Sequence, residues 1–286
     1  MSDVRFRYAY SAFVYHDEPV ERSLERVARC GYDGLELMAW PERFGQAPAI
    51  ARHARAAGVA IGSVCASAPP DRDLTHPDAS VRAAAVAHLR ASADFAAAVG
   101  AGTMVVSPSA AGKTTRLAPP ADERAWAIEG LRAVGEHAAG LGVELVLECW
   151  NRYETYFLNR LEQAAELWRA TGLTNGGVMA DTFHMNIEEA SIADALLAVA
   201  PLLRHVHLAD SNRAAPGTGH IDFAPILQAL TAIGYDGWLC FELLPPVADV
   251  FAAMDAGEHT DFLDRYTRSA VEHVRALAAE PMGVPA

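Results

Sequence analysis

Four residues in the second half of the chain could together hold a divalent cation. Glu148, Asp181, His207 and Glu242 stand at the ends of four β-rich runs, in the segments ELVLECWN, GGVMADTFH, LRHVHLADSNR and GWLCFELLPP. They are 33, 26 and 35 residues apart, each close to the ~30-residue length of one strand–helix unit. Consecutive parallel strands in register would bring all four to one rim. A lone acid at a strand end is more often a loop or cap residue, so it is the set of four that argues for a site. Three carboxylates and one imidazole form a hard, oxygen-rich donor set. It suits Mn²⁺ first, with Mg²⁺ or Co²⁺ as alternatives, better than structural zinc, which favours Cys and His. Four protein ligands leave about two octahedral positions for the adjacent carbonyl and hydroxyl oxygens of a substrate.

Positioning these residues requires repeated strand–helix units, and the sequence supplies them. Strands are expected at Arg5–Ala12, Gly34–Met38, Ala60–Cys65, Thr103–Ser107, Glu144–Glu148, Gly177–Asp181, His205–Leu208 and Trp238–Glu242. Helical patterns lie between them. Phe223, Ile226, Leu227 and Leu230 form one apolar helical stripe. Asn159 with Glu162, and Asn186 with Glu189, read as helix starts of the capping-box type. Gly31, Gly58, Gly100, Gly142, Gly172 and Gly234 each follow a helical stretch as left-handed terminators. GYDGLEL from Gly31 and GYDGWLCFEL from Gly234 repeat one unit weakly. Eight such units with right-handed crossovers predict an α/β fold, a single (β/α)8 TIM barrel over residues 1–286 with a short frayed tail from about 279 to 286. An open doubly wound sheet is the rival. It usually carries G-x-G-x-x-G after its first strand, and that motif is missing here.

The formal charge of −13 and a pI near 5.2 disfavour a phosphate backbone as partner, so no nucleic acid is expected. Cys30, Cys65, Cys149 and Cys240 are scattered and read as reduced thiols. No apolar run of signal-peptide or membrane-span length is found. A cytoplasmic protein without membrane partners is expected.

At the four ligands the sequence resembles the xylose-isomerase-like sugar isomerase and epimerase superfamily. It is most similar to the D-tagatose/D-psicose (ketose) 3-epimerases and related keto-sugar-acid epimerases. The likeness covers most of the chain. It rests on ECWNRYE at Glu148–Glu154, DTFHMNIEE at Asp181–Glu189, HVHLADSNRAAPGTGH at His205–His220, the terminal FE at Phe241–Glu242, and the spacings between them. The resemblance implies that Glu148, Asp181, His207 and Glu242 hold the metal and that Glu148 and Glu242 are also the catalytic acid/base pair. It implies that His184, Arg213 and Glu154 contact a keto-sugar or keto-sugar acid, and that the protein is a homodimer or homotetramer. The implied chemistry is proton abstraction alpha to the carbonyl, with a cation-stabilised enediolate, and one base on each face for epimerisation.

Other residues are placed less specifically by sequence. Glu36 ends the second strand and is a possible substrate contact at the rim, with a loop role as the alternative. Tyr8, with Tyr10 and Trp40, is a possible apolar wall of the pocket, against an ordinary core role. His205 shares a face with His207 but lies deeper, as a packing or supporting residue. The run from Ser107 to Thr114, SPSAAGKT, imitates a phosphate loop but lacks its first glycine and reads as a rim loop. The alternatives are a lyase or dehydratase acting on a keto-inositol or 3-keto-glycoside through the same metal, a DNA-repair-type nuclease of this fold, and a non-catalytic sugar-binding barrel. The nuclease is opposed by the negative charge. The pure binder is opposed by the presence of both Glu148 and Glu242.

Overall fold

A strand flanked by helices on one side and by other strands' side chains on the other is buried on both faces, which is why these runs are nearly continuous in apolar residues. The computed structural model describes residues 5–15, 18–66, 68–245, 247, 252 and 260–279. Eight strands form a closed parallel barrel in sequence order. They are β1 (Arg7–Ser11), β2 (Gly34–Met38), β3 (Ala60–Ala66), β4 (Thr103–Val106), β5 (Glu144–Leu147), β6 (Gly176–Asp181), β7 (Leu203–Leu208) and β8 (Trp238–Phe241). β1 pairs with β8 through Arg7–Trp238 to Tyr10–Phe241, closing the ring. The outer layer comprises α1 (Val20–Arg29), α2 (Pro41–Phe44), α3 (Ala47–Ala57), α4 (Ala79–Val99), α5 (Pro120–Gly140), α6 (Leu161–Thr171), α7 (Thr182–Glu188), α8 (Ile192–Ala198), α9 (Phe223–Ala232) and α10 (Thr260–Ala279). From residue 280 the expected frayed tail lies outside the described residues.

Period-two alternation divides each strand between two environments. Leu35, Leu37, Val64, Met104, Val106, Leu145, Leu147, Val178 and Leu239 join the main core between barrel and helices. Met38, Cys65, Val105, Val146 and Met179 form a separate apolar cluster inside the barrel, with Phe13 and Trp40 against it. The bottom of the interior is filled by Trp238. A Cβ on Gly34 would lie 2.8 Å, and one on Gly62 2.9 Å, from the Trp238 ring, and the Arg7 guanidinium stacks 4.6 Å from its centroid.

All six expected terminator glycines have positive φ, where a Cβ is disfavoured. The stripe of α9 is buried as expected. The two expected capping boxes are corrected. Leu161 begins α6, and Gln163 accepts the N–H groups of Asn159 and Arg160 at 2.9 and 3.1 Å. The Asn159 side chain turns back and donates to the carbonyls of Trp150 and Thr155. Asn186 lies inside α7, whose start is capped by Asp181 accepting from Phe183 N at 2.8 Å. Proximity of a polar residue to an acid three positions on did not distinguish a cap from a loop brace.

Close strand pairing at β6 requires glycine. A Cβ on Gly177 would lie 2.0 Å from the Leu202 carbonyl oxygen, which cannot yield without moving backbone. Gly177→Ala should therefore lower unfolding stability by about 3 kcal/mol, measured by urea denaturation of the metal-free protein. An unchanged midpoint would contradict this packing.

Candidate metal and substrate site

The site is made by what ends β5 to β8. Asp181 is the last residue of β6 and pairs in register with His207 on β7. Glu148 and Glu242 follow β5 and β8 directly, and their N–H groups extend the ladders by donating to Val106 O and Leu208 O at 3.0 and 3.3 Å. The Thr182 hydroxyl both donates to Ala209 O and accepts from Ala209 N, tying the start of α7 to the exit of β7.

The four expected ligands do converge. His207 Nδ1 lies 3.8 Å from Glu148 Oε1, 3.8 Å from Asp181 Oδ2 and 3.4 Å from Glu242 Oε2. One ligand atom from each of the four falls within 4.8 Å of the others, and all four residues are buried. His207 Nδ1 has no hydrogen-bond partner. A buried ring nitrogen left unpaired and facing three carboxylates fits a hard divalent cation. The residues present are thus suited to hold one.

The electrostatics of the cluster are strained. Burial, with Glu242 and Asp181 adding like charge against the opposing His207, pushes the Glu148 carboxyl up to about 8. Burial acts the same way on Asp181, yet the Arg213 guanidinium and His184 hold that carboxyl well below its ordinary range. Glu242 is also held down against burial, by Arg213 and His207. His207 is raised well above a free imidazole, since Glu36 and Glu242 outweigh its burial.

Arg213 supplies the local positive charge. One guanidinium nitrogen donates to both Asp181 oxygens at 2.8 and 2.6 Å, and the other donates to Glu242 Oε2. The group also lies over the Phe183 ring, 4.9 Å from its centroid. Among the described residues Arg213 is the one non-glycine with positive φ, at 60°. Its carbonyl accepts from Leu244 N and its N–H donates to Asp210 O, which hold this conformation. Buried Asp210 organises the same loop by accepting from Ser211, Gly217 and Ile221 N–H groups.

His184 sits in the first turn of α7, with Nε2 3.8 Å from Asp181 Oδ2. Its Nδ1 accepts from the backbone N–H of Asn151 at 3.2 Å, with the Asn151 side chain at 2.9 Å. That places the ring proton on Nε2, facing the site. Asn151 also donates to Glu154 Oε1 at 2.8 Å, which sets Glu154 at the half-exposed edge beside His184. Asn151 was not singled out by sequence; its place inside ECWNRYE was the available signal.

Three less specific expectations change. Glu36 is not at the rim and is neither a substrate contact nor a loop residue. β2 continues to Met38, so Glu36 is wholly buried in the barrel interior beneath His207. Tyr8 is not a pocket wall. It faces outward, stacked on Phe241 with Arg275 over its ring. Tyr10 likewise packs outward on Tyr15 and Tyr32. Trp40 stands half-buried against the interior apolar cluster with Arg43 stacked on it, at the mouth of the barrel. The phosphate-loop imitation is a brace. Lys113 donates to Asp73 Oδ2 at 2.8 Å and to Thr75, and Gly112 N donates to Glu154 O. The lysine is therefore committed to tying the loop after β4 to the loop after β3.

Comparison with known proteins agrees with the barrel fold. The family model described as "Xylose isomerase-like TIM barrel" matches residues 24–266. The chain belongs to that family. A ketose 3-epimerase of Arthrobacter globiformis is 44% identical over 101 residues, which is 35% of each chain. An L-ribulose 3-epimerase of Mesorhizobium japonicum is 46% identical over 101 residues, 35% of this chain and 34% of that one. The chain thus matches about a third of the length of these curated relatives. In structure, a D-psicose 3-epimerase of Clostridium cellulolyticum with D-tagatose superposes with a TM-score of 0.86 at 25% identity, covering 96% of this chain and 99% of that one. Among the described residues no helix is long and apolar enough to cross a membrane.

A cation ligated by Glu148 and His207 must displace the protons that their raised affinities retain at neutral pH. Mn²⁺ binding should release one to two protons per ion near pH 7, and affinity should rise between pH 6 and about 8. The sign for metal-free stability is the reverse. Glu148 holds its proton better folded than unfolded, so its contribution is present at low pH and is lost as pH rises toward about 8. Calorimetry in buffers of differing ionisation enthalpy reads the release; a flat affinity without release would contradict the assignment.

Proposed function

We propose that the protein is a divalent-metal-dependent epimerase or isomerase of a small keto-sugar or keto-sugar acid, of the ketose 3-epimerase type. The observation that carries this reading is the placement of Glu148 and Glu242 on β5 and β8, flanking His207 from different sides, in one buried cluster with Asp181. The names of the relatives, ketose and L-ribulose 3-epimerases, point to the same reaction class.

A proton alpha to a ketone is too weakly acidic for an unaided carboxylate. The cation, Mn²⁺ in this reading, supplies Lewis acidity to the carbonyl and the neighbouring hydroxyl. The chain's residues do the rest. Glu242, kept ionised by Arg213, takes the proton from the carbon alpha to the carbonyl, and the electron pair moves into the planar enediolate. Glu148, protonated from solvent once the substrate occupies the site, returns a proton to the opposite face as the carbonyl re-forms, and the reverse reaction exchanges the two roles. His184 directs its Nε2–H, and Arg213 its guanidinium, to the oxygens on which charge develops. Glu154 receives a sugar hydroxyl at the open edge, and Trp40 at the mouth, with the interior apolar cluster it packs against, excludes water. A cytoplasmic location and a homodimer or homotetramer accompany this reading.

Two measurements check it. In D₂O with Mn²⁺, a ketose such as D-psicose or L-ribulose should gain one deuteron at C3, read by NMR; failure with every ketose and keto-sugar acid tried would exclude the reaction. Glu242→Gln should reduce kcat by about 10²–10⁴-fold, and a near-normal rate would remove Glu242 from the proton transfer.

A further inference from the structure

Beneath the ligand cluster lies a second buried polar group, made by Glu36, Ser63, His205 and His207. One carboxylate oxygen, Glu36 Oε2, is the common acceptor of all of it. Ser63 Oγ lies 2.7 Å away, His207 Nε2 3.0 Å and His205 Nε2 3.1 Å. Glu36, Ser63, His205 and His207 are wholly buried.

We infer that Glu36 is a positioning residue for the metal, acting through His207; the inference rests on the metal-dependent reading above. A carboxylate can only accept, so a ring nitrogen at 3.0 Å from it must carry the proton. Glu36 thereby keeps a proton on Nε2, so that when the cation displaces the other ring proton the lone pair is left on Nδ1, the nitrogen that faces Glu148, Asp181 and Glu242. The ring is also fixed in orientation. His205 stands edge-on to it, with centroids 5.0 Å apart and an interplanar angle of 76°. The contact reaches from β2 to β7 through the interior, so the barrel itself aligns the ligand. Carboxylate–imidazole–metal arrangements of this kind set tautomer and raise ligand basicity, and loss of the outer carboxylate weakens metal binding ~10–100-fold.

The competing interpretation is an inner cation held by Glu36, His205, His207 and Cys240, which also offer one atom each within 4.8 Å. Hydrogen-bond geometry argues against it. Both Nε2 atoms are at donor distance from the same oxygen, and an ion there would require His207 to lose both ring protons in order to serve two metals.

The test is Mn²⁺ titration of wild-type protein and Glu36→Gln without substrate, by calorimetry and by electron paramagnetic resonance of free Mn²⁺, with circular dichroism to show both are folded. Wild type should bind one Mn²⁺ per chain and Glu36→Gln should bind it ~10–100-fold more weakly. Equal affinity would overturn the inference while leaving the metal site standing. Two Mn²⁺ per wild-type chain, with one lost in Glu36→Gln, would overturn it in favour of the inner ion. A wild type that binds none would remove the metal reading and this inference with it. Should Glu36→Gln not fold, ¹⁵N-histidine NMR of the Mg²⁺-loaded wild type decides alone: His207 is expected as the Nε2–H tautomer, and an Nδ1–H tautomer would overturn the inference.

Discussion

The architecture of the site follows from bringing three carboxylates to one buried imidazole. Two unit charges within 4.8 Å repel by more than about 3 kcal/mol at an effective dielectric of ~20, and there are three such pairs among Glu148, Asp181 and Glu242. The protein alone relieves this in two ways: Arg213 bridges Asp181 and Glu242, and Glu148 holds its proton. Both are partial. A dication at the focus of the four groups would offset most of the repulsion and meet the unpaired His207 nitrogen, which is why the cluster is read as a metal site rather than as an acidic surface.

The surrounding loops are built to keep those groups in place. Asn151 sets the ring of His184 and the carboxylate of Glu154 at once. Arg152 clamps Glu188 through two guanidinium bonds, joining the loop after β5 to the end of α7. Lys113 closes the loop after β4 on Asp73, and Ser109 pairs with Thr155 at 2.6 Å. Arg213 is held in a left-handed conformation that a non-glycine residue adopts at a cost, and the bonds around Asp210 sustain it. Each brace links neighbouring strand–helix units at the same rim of the barrel.

Much of this was legible in the sequence. The period of about thirty residues between Glu148, Asp181, His207 and Glu242 implied both the barrel and the common rim, because parallel strands in register leave little freedom. The terminator glycines were equally readable, since positive φ has few occupants. What escaped were features fixed by strand length and loop path. Glu36 was assigned to the rim although the expected strand already ran two residues past it, to Met38; a mid-strand position on the inward face sinks its side chain into the interior. Tyr8 and Tyr10 were ambiguous because β1 is buried on both faces, so burial of an aromatic there does not tell pocket from helix layer. Asn159 and Asn186 carried cap-like patterns, but one braces a loop and the other is inside a helix. Asn151 has no local signature beyond its place in ECWNRYE, as its function depends on a histidine thirty-three residues away.

The most direct test of the central claim is crystallographic: crystals grown with MnCl₂, with data collected on both sides of the manganese absorption edge. The account expects one anomalous peak per chain, about 2.0–2.3 Å from His207 Nδ1 and from an oxygen of each of Glu148, Asp181 and Glu242. A map with no peak among those four residues, or with manganese bound elsewhere while Arg213 stays locked between Asp181 and Glu242, would contradict it.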